Sequence, residues 1–190
     1  EFNSPGIGQI IATAGCDFVF LDMEHSGFGV AETKLAIAGL RAGGIPALVR
    51  PPSKEYHHIA RALDIGADGL ILPMVASKEE ALYILDCMKY PPEGSRGVAL
   101  SIAHDHYKIE DPAKALASAN RKTACAVLIE TEDGVRNIDA IASVKGVDCL
   151  WIGHFDLSCS LGINGQFGHP DFLRACRSVE KAAKKHGKAL

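Results

Sequence analysis

Four of the five apolar segments in this sequence end at, or shortly before, a side chain that could take part in chemistry. Asp22 ends the first segment, Arg50 the second and Glu130 the fourth, and Asp156 follows the fifth. Continuous apolar runs are typical of strands buried on both faces of a parallel sheet. Charged groups at the carboxyl ends of several such strands form the active site of a (β/α) barrel. The sequence therefore predicts an enzyme with one site assembled from several strand ends.

The first of these groups lies in the sequence Asp22-Met-Glu-His25. A carboxylate that accepts a hydrogen bond from one imidazole nitrogen fixes the tautomer of the ring and raises its basicity. The other nitrogen can then take a proton from a substrate or from water. We therefore expect Asp22 to support His25 as a catalytic base, and Glu24 to point elsewhere on the turn. The alternative is a surface loop with ordinary charges.

Arg50 closes its strand directly before two prolines, Pro51 and Pro52. A charged side chain at the end of a buried strand needs a partner, because an unpaired buried charge is costly. The planar guanidinium can bind a carboxylate through two parallel hydrogen bonds. The expected partner is an anionic substrate, and the alternative is a salt bridge to a neighbouring acid such as Asp22.

Glu130 and Asp156 are separated by 26 positions, which is the length of one β/α unit. In a barrel this spacing places the two carboxylates at adjacent strand ends. Two carboxylates, completed by water and substrate oxygens, are ligands that Mg²⁺ and Mn²⁺ prefer. We expect the pair to bind a divalent metal. The alternative for Asp156 is capping of the helix that would begin before Leu157 and Ser158.

The scaffold for these side chains is predicted to alternate strands and helices. The strand segments are 18–22, 47–50, 69–73, 126–130 and 149–153, and residues 187–190 are expected to enter a further strand. Helices are expected over about 5–14, 30–43, 55–65, 77–89, 112–120, 133–144 and 170–186. This alternation implies a parallel sheet with right-handed crossovers.

The predicted fold class is α/β, a (β/α)8 TIM barrel that is incomplete in this chain. A closed barrel needs eight strands in about 250 residues, and five strands with the start of a sixth are visible in 190 residues. We expect a single partial barrel domain over residues 1–190 that lacks the first strand and the last two. An open doubly wound sheet is the alternative, although the Gly-rich phosphate loop that usually marks it is absent.

The composition excludes several classes of function. The formal net charge is −3 and the isoelectric point is about 6.2, so no electrostatic footprint for nucleic acid or an anionic membrane surface is present. No apolar run approaches the roughly 20 residues that span a bilayer, and no signal peptide is visible. The six cysteines form no C-x-x-C pair, so we expect reduced thiols and a cytoplasmic protein.

Taken together, the motifs resemble the HpcH/HpaI aldolase family, the class II pyruvate aldolases of the phosphoenolpyruvate/pyruvate-binding barrel superfamily. The similar segments occur in the same order as in the family and span almost the whole chain. They are Asp17–His25, Val49–Pro52, Ile71–Val75, Tyr90–Gly97, Ile129–Thr131 and Ile152–Ser158.

The resemblance implies a role for each matching position. His25 would be the catalytic base with Asp22 supporting it, and Arg50 would bind the carboxylate and keto oxygen of pyruvate and stabilise the enolate. Glu130 and Asp156 would hold the divalent metal, Mg²⁺, Mn²⁺ or Co²⁺. The backbone of Gly153, His154 and Phe155 would contact the pyruvate carboxylate. The implied reaction is reversible aldol cleavage of a 4-hydroxy-2-oxo acid into pyruvate and an aldehyde.

Two positions depart from the family pattern near this site. Leu128 stands where the family often has glutamine, and His154 stands where it often has proline. A related activity on the same site, such as oxaloacetate decarboxylation or other 2-oxo-acid enolate chemistry, is therefore an alternative. A catalytically silent barrel that binds a 2-oxo acid is a second alternative, and a lyase for acyl-CoA substrates is a third. The resemblance also implies a homo-oligomer, often a hexamer.

Overall fold

The computed structural model describes residues 4, 6–109 and 111–190 of the chain. The strands are β1 (Val19–Asp22), β2 (Ala47–Arg50), β3 (Gly69–Leu72), β4 (Ala124–Ile129) and β5 (Cys149–Ile152). The helices are α1 (Ile7–Thr13), α2 (Val30–Ala42), α3 (Tyr56–Asp64), α4 (Lys78–Met88), α5 (Pro112–Lys122), α6 (Glu132–Arg136), α7 (Ile138–Ala142), α8 (His154–Ser160) and α9 (Pro170–His186). A short 3₁₀ helix spans Ala103–Asp105.

The chain folds as two compact units. The first unit comprises the chain up to Ile71 together with Asp86–Thr123, and the second comprises Leu72–Leu85 and Ala124–Leu190. The single domain expected over residues 1–190 stays a prediction. None of the helices within the described ranges is both long and apolar enough to cross a membrane.

In the first unit, β2 pairs in parallel with β1 and with β3. The register places Asp22 opposite Arg50, so both chemically active side chains lie at the carboxyl ends of neighbouring strands. All four residues of β3 are buried, as expected for an apolar run covered on both faces. Strand ends of this kind bring side chains from distant positions to one edge of the sheet.

A buried arginine stabilises the segment of the first unit that follows α4. The Arg96 side chain is 2% exposed, and its Nη2 donates a hydrogen bond to Oδ1 of Asp64 at 2.5 Å. The guanidinium carbon lies 4.4 Å from the ring centroid of Tyr90, which is itself fully buried. Paired and stacked in this way, the charge avoids most of the cost of burial.

In the second unit, β4 and β5 pair in parallel from Ala126 opposite Cys149 to Ile129 opposite Ile152. An apolar cluster formed by Leu157 of α8 and by Phe172 and Ala175 of α9 packs with Ile152 at the end of β5. Two residues separate the end of β4 from the start of α6, and β5 ends directly before Gly153 and α8. The residues at these two junctions lie between a strand and a helix.

Most predicted elements are confirmed, with their ends shifted by at most two residues, and three segments differ. The single helix expected over 133–144 is two helices, α6 and α7, with Asn137 between them. Helix α8 occupies the segment 154–160, which lies outside the predicted helices. The expected last strand is limited to one bridge between Cys149 and Ala189. The predicted start of the first helix, Pro5, lies outside the described residues.

Candidate active site

The carboxylate of Asp22 and the guanidinium of Arg50 form a bidentate pair at the ends of β1 and β2. Arg50 Nε donates to Oδ1 of Asp22 at 2.9 Å, and Arg50 Nη2 donates to Oδ2 at 2.6 Å. The guanidinium carbon also lies 5.4 Å from the ring centroid of Phe20. The parallel register causes this pairing, since it places the two residues directly opposite each other. The salt bridge that the sequence leaves open as an alternative for Arg50 is therefore present.

The carboxylate of Glu24 forms a second salt bridge with Arg50. The expectation that Glu24 points elsewhere on the turn is therefore wrong. Its Oε2 lies 3.2 Å from Nη1 of Arg50 and 3.8 Å from Nε2 of His25. Glu24 thus stands next to both the cation and the imidazole. The His25 side chain is 65% exposed, so its ring is accessible from solvent.

The expected hydrogen bond from the His25 ring to the carboxylate of Asp22 is replaced by other contacts. Oδ1 of Asp22 accepts hydrogen bonds from the backbone N–H groups of Glu24, at 2.9 Å, and His25, at 3.3 Å. Short acidic side chains commonly accept bonds from N–H groups two or three residues further along a turn. Because the two oxygens of Asp22 are directed at this turn and at Arg50, Asp22 orients the backbone of His25, and Glu24 is the acid beside its ring.

The pKa of Asp22 is lowered from its ordinary value of 3.8. Burial acts in the opposite direction, because desolvation disfavours the charged form and raises the pKa. The hydrogen bond from Arg50 and those from the backbone N–H groups of Glu24 and His25 outweigh that effect. Asp22 is therefore a carboxylate under neutral conditions, which suits it to hold a cation rather than to donate a proton.

Glu130 follows β4 directly and is 3% exposed. Its Oε1 accepts a hydrogen bond of 2.6 Å from the backbone N–H of Met74, two residues beyond the end of β3. Its Oε2 lies against the backbone of Gly153, where an added Cβ would overlap it. Only glycine at position 153 leaves this space for the carboxylate.

Asp156 lies in the first turn of α8 and is exposed. The residue at the N-cap is Gly153, so the capping role considered for Asp156 is not observed. His154 and Phe155 precede Asp156 on the same helix, and their rings are 4.6 Å apart between centroids. The backbone of Gly153 donates to the carbonyl of Ile129 at 3.2 Å, which ties the start of α8 to the end of β4.

The donor chemistry of the second unit fits a hard divalent cation. Glu130 and Asp156 supply carboxylate oxygens, and the space at Gly153 is filled by a carboxylate instead of a side-chain carbon. Within the described ranges, no group of three or more His, Cys, Asp or Glu side chains is arranged to hold a metal ion. A cation bound by these two carboxylates would therefore complete its shell with water and substrate oxygens, as Mg²⁺ commonly does.

The structure places the predicted site residues in two sets. Asp22, His25 and Arg50 come together in the first unit, with Glu24 as an unpredicted fourth member. The second unit contains the set Glu130, Gly153, His154, Phe155 and Asp156. Met74 is not predicted from the sequence, because it contributes a backbone N–H, which every residue except proline has. Glu24 could have been identified from its position in the sequence between Asp22 and His25.

The fold and the family of this chain are shown by its similarity to known proteins. A sequence profile of the family described as HpcH/HpaI aldolase/citrate lyase matches residues 2–190, and the chain belongs to this family. The structure of an HpcH/HpaI aldolase from Desulfitobacterium hafniense DCB-2 superposes with a TM-score of 0.92 at 36% identity, covering 99% of this chain and 72% of that one. The predicted TIM-barrel class is thereby confirmed, and the doubly wound alternative is excluded. Five strands in the described part of the chain leave the barrel unclosed.

Two further similar proteins have names that state a reaction. The chain is 36% identical over 186 residues to a 5-keto-4-deoxy-D-glucarate aldolase of Shigella boydii, which covers 98% of this chain and 72% of that protein. The structure of the citrate synthase SbnG is 29% identical with a TM-score of 0.85, covering 98% of this chain and 72% of that one. Both names describe the making or breaking of a carbon–carbon bond.

Proposed function

We propose that this chain catalyses the divalent-metal-dependent, reversible aldol cleavage of a 4-hydroxy-2-oxo acid into pyruvate and an aldehyde. The observation that carries the proposal is the buried carboxylate of Glu130, held by the Met74 N–H at 2.6 Å and lodged against the backbone of Gly153. Carboxylate oxygens are the ligands that hard divalent cations such as Mg²⁺ prefer. Membership of an aldolase family supports the same interpretation.

Glu130 and Asp156 are the proposed metal ligands, and Mg²⁺, Mn²⁺ or Co²⁺ is the proposed cofactor. When bound, such a cation acts as a Lewis acid that polarises the 2-oxo group of the substrate. Glu130 is buried while Asp156 is exposed. Glu130 therefore provides the fixed ligand, and Asp156 lies on the side that water and substrate can reach.

His25 is the proposed base. It takes the proton from the C4 hydroxyl, the C3–C4 bond breaks, and the electron pair of that bond passes to pyruvate as its enolate, which is then protonated at C3. The exposed imidazole is accessible for this exchange, and the carboxylate of Glu24 lies beside it. Asp22 acts by orienting the backbone of His25.

Arg50 is the proposed group that binds the oxo acid and offsets the charge of the enolate. Three of its nitrogens are directed at Asp22 and Glu24, so the guanidinium is held in a fixed plane before a substrate arrives. Preorganised charge of this kind does not have to be reoriented during the reaction. The backbone of Gly153, His154 and Phe155 is the proposed contact for the pyruvate carboxylate.

The keto-acid class of the substrate is supported by the name of the Shigella relative, 5-keto-4-deoxy-D-glucarate aldolase. Leu128 and His154, the two residues that differ from the family pattern, lie on β4 and at the start of α8. We therefore propose the oxo-acid half of the substrate and leave the aldehyde half open to the assay. We further propose a homo-oligomer, a hexamer by family resemblance, which light scattering can test. The six free cysteines support a reducing compartment, the cytoplasm.

The experiment is an assay of pyruvate release from a panel of 4-hydroxy-2-oxo acids and from oxaloacetate, with Mg²⁺, Mn²⁺ or Co²⁺ added to protein first treated with EDTA and dialysed. We expect metal-dependent release of pyruvate together with an equimolar aldehyde. Turnover of oxaloacetate alone, with CO₂ in place of an aldehyde, would overturn the aldolase in favour of a decarboxylase. Binding of pyruvate without turnover of any substrate would identify a silent barrel.

A further inference from the structure

Met74 has a backbone conformation that residues with side chains rarely adopt. Its φ is +54°, in the left-handed region, and it follows Pro73 directly after β3. Methionine gains nothing locally from this conformation, since glycine and asparagine are the residues that tolerate it best. Such strained residues persist only where the surrounding structure fixes them, and they concentrate at functional sites.

The segment after Met74 is fixed within the second unit at three successive points. The Val75 N–H donates to the carbonyl of Leu128 on β4 at 3.2 Å. The Ala76 carbonyl accepts a bond of 2.8 Å from Nδ2 of Asn137, the residue that separates α6 from α7. The Ala76 N–H donates to Oε2 of Glu80 at 2.7 Å.

A close approach at Gly134 adds a fourth constraint on the same segment. A Cβ added to Gly134 on α6 would lie 2.8 Å from the carbonyl oxygen of Val75. The loop therefore lies directly on the first turn of α6, with no room for a larger residue. These contacts fix the two residues that directly follow Met74 and so constrain the backbone at Met74 itself.

The left-handed conformation of Met74 sets the direction of its backbone N–H. The Met74 N–H points at Oε1 of Glu130, with 2.6 Å between the heavy atoms. On the other side of the carboxylate, Gly153 leaves space for Oε2. One oxygen accepts a hydrogen bond and the other is packed against Gly153, so both neighbours constrain the plane of the carboxylate.

We propose that Met74 is a positioning residue whose strained backbone orients Glu130 for cation binding. The inference rests on the proposed function, because it takes Glu130 as a metal ligand. Groups that orient a metal ligand change metal affinity by about 10- to 100-fold when they are altered. A rotated carboxylate would present its oxygens to the cation in a different direction.

The test measures Mn²⁺ affinity in the resting protein by electron paramagnetic resonance, without substrate, for the whole chain and for variants at Met74. Met74→Val places a β-branched residue where the left-handed region is least tolerated, and we expect the dissociation constant to rise about 10- to 100-fold. Met74→Gly keeps the N–H and removes the strain, and Met74→Leu keeps the N–H and the bulk. Both are expected to remain within about twofold of the parent.

Controls separate this role from a general effect on folding. Tyr107 also has a left-handed backbone, with φ of +58°, but lies in the first unit. Tyr107→Val introduces the same kind of strain and should leave Mn²⁺ affinity unchanged. If Met74→Val does not fold, Asn137→Ala serves instead, because it removes a bond that fixes the loop without touching Met74, and we expect a severalfold loss of affinity.

Each outcome bears on the proposal. Weaker binding in Met74→Val or Asn137→Ala, with normal binding in Met74→Gly, supports it. Parent-like affinity in all these variants, in a parent protein that binds Mn²⁺, would overturn the positioning role and leave the proposed function standing. A parent protein that binds no Mn²⁺ would overturn the metal-dependent function and, with it, the role of Met74.

Discussion

The side chain of Glu130 occupies the space where any side chain larger than that of Gly153 would lie. A Cβ at position 153 would overlap Oε2 of Glu130 and would lie 2.7 Å from its Cβ, far inside contact distance. The two residues come from the ends of neighbouring parallel strands, β4 and β5. The Glu130 carboxylate can therefore occupy its position only because residue 153 is glycine.

Gly153→Ala is expected to displace the Glu130 carboxylate. The displaced group would weaken Mn²⁺ binding at least about tenfold, and overpacking would lower the free energy of unfolding by about 1–3 kcal/mol. Calorimetric Mn²⁺ titration and urea unfolding measure the two effects. Gly168→Ala is the matched control, since an added Cβ there meets nothing within 4 Å. Equal behaviour of the two variants would contradict the close packing at Gly153.

Glu130→Gln is expected to abolish metal-dependent activity without unfolding the protein. The amide oxygen can still accept the bond from Met74, but the negative charge that attracts the cation is lost. We expect Mn²⁺ affinity to fall roughly 100-fold or more, and turnover to stop as it does after EDTA treatment. Glu132→Gln, on the exposed side of α6, removes the same charge nearby and should change neither. Unaltered Mn²⁺ binding in Glu130→Gln would remove this residue from the metal site.

His25→Ala is expected to remove aldol cleavage while leaving Mn²⁺ binding intact. A positioned general base contributes about 10²- to 10⁴-fold to a rate, so kcat should fall by a factor in that range. Steady-state kinetics and Mn²⁺ titration on the same preparation give both readouts. His57→Ala changes another exposed histidine of the first unit and serves as the control. Turnover at the parent rate would exclude His25 as the base.

Asp22 makes the stability of the first unit depend on pH in acid. Its folded-state pKa is lowered from 3.8, so its stabilising effect is complete above that unfolded value. The effect is lost as the pH falls through the lowered folded pKa. Relative to the parent, Asp22→Asn should be less stable near neutral pH by about 1 kcal/mol, since the pair is partly exposed.

The measurement for Asp22 is urea unfolding of both proteins from neutral pH down to about pH 2. We expect the difference in the free energy of unfolding to shrink as the pH falls through the lowered pKa of Asp22. Asp17→Asn, at an exposed position just before β1, is the control and should show a small difference throughout. A difference for Asp22→Asn that grows in acid would contradict the direction assigned to its pKa.

Arg96→Ala is expected to be the most destabilising of these changes. It removes a side chain that is 2% exposed, ends the stacking on Tyr90 and leaves Asp64 without its 2.5 Å partner. Removing one member of a buried pair costs about 3 kcal/mol or more, and thermal or urea unfolding measures it. A double-mutant cycle with Asp64→Ala separates the ion pair from the stacking. A coupling energy of zero would show that the pair contributes nothing.

The strand ends can be predicted from the sequence because their signal is local. Buried parallel strands require unbroken apolar runs, and the first charged residue after each run marks its carboxyl end. Asp22, Arg50 and Glu130 are identified by this pattern and lie where it indicates. Helices with a clear cap are equally predictable, such as α9, which begins at Pro170 and ends before Gly187.

The contacts among these residues are harder to predict because they depend on register and backbone geometry. Spacing along the chain favours a pair between Asp22 and His25, three residues apart, but parallel pairing of β1 with β2 brings Arg50 to the oxygens of Asp22. The role of Met74 follows from its φ angle, which the residue type argues against. Helix α8 is not among the predicted helices, because it is short and the glycine at its N-cap provides no capping side chain that would mark its start.

The register of β1 against β2 restricts how the length of this chain can change over evolution. Side chains alternate faces along a strand, so inserting or deleting one residue within either strand would turn every later side chain to the opposite face. Asp22 and Arg50 would then no longer meet, whereas the exposed positions Gly27 and Gly29, between β1 and α2, have no such constraint. Single-residue insertions should therefore survive selection for activity in that loop and be eliminated from the two strands.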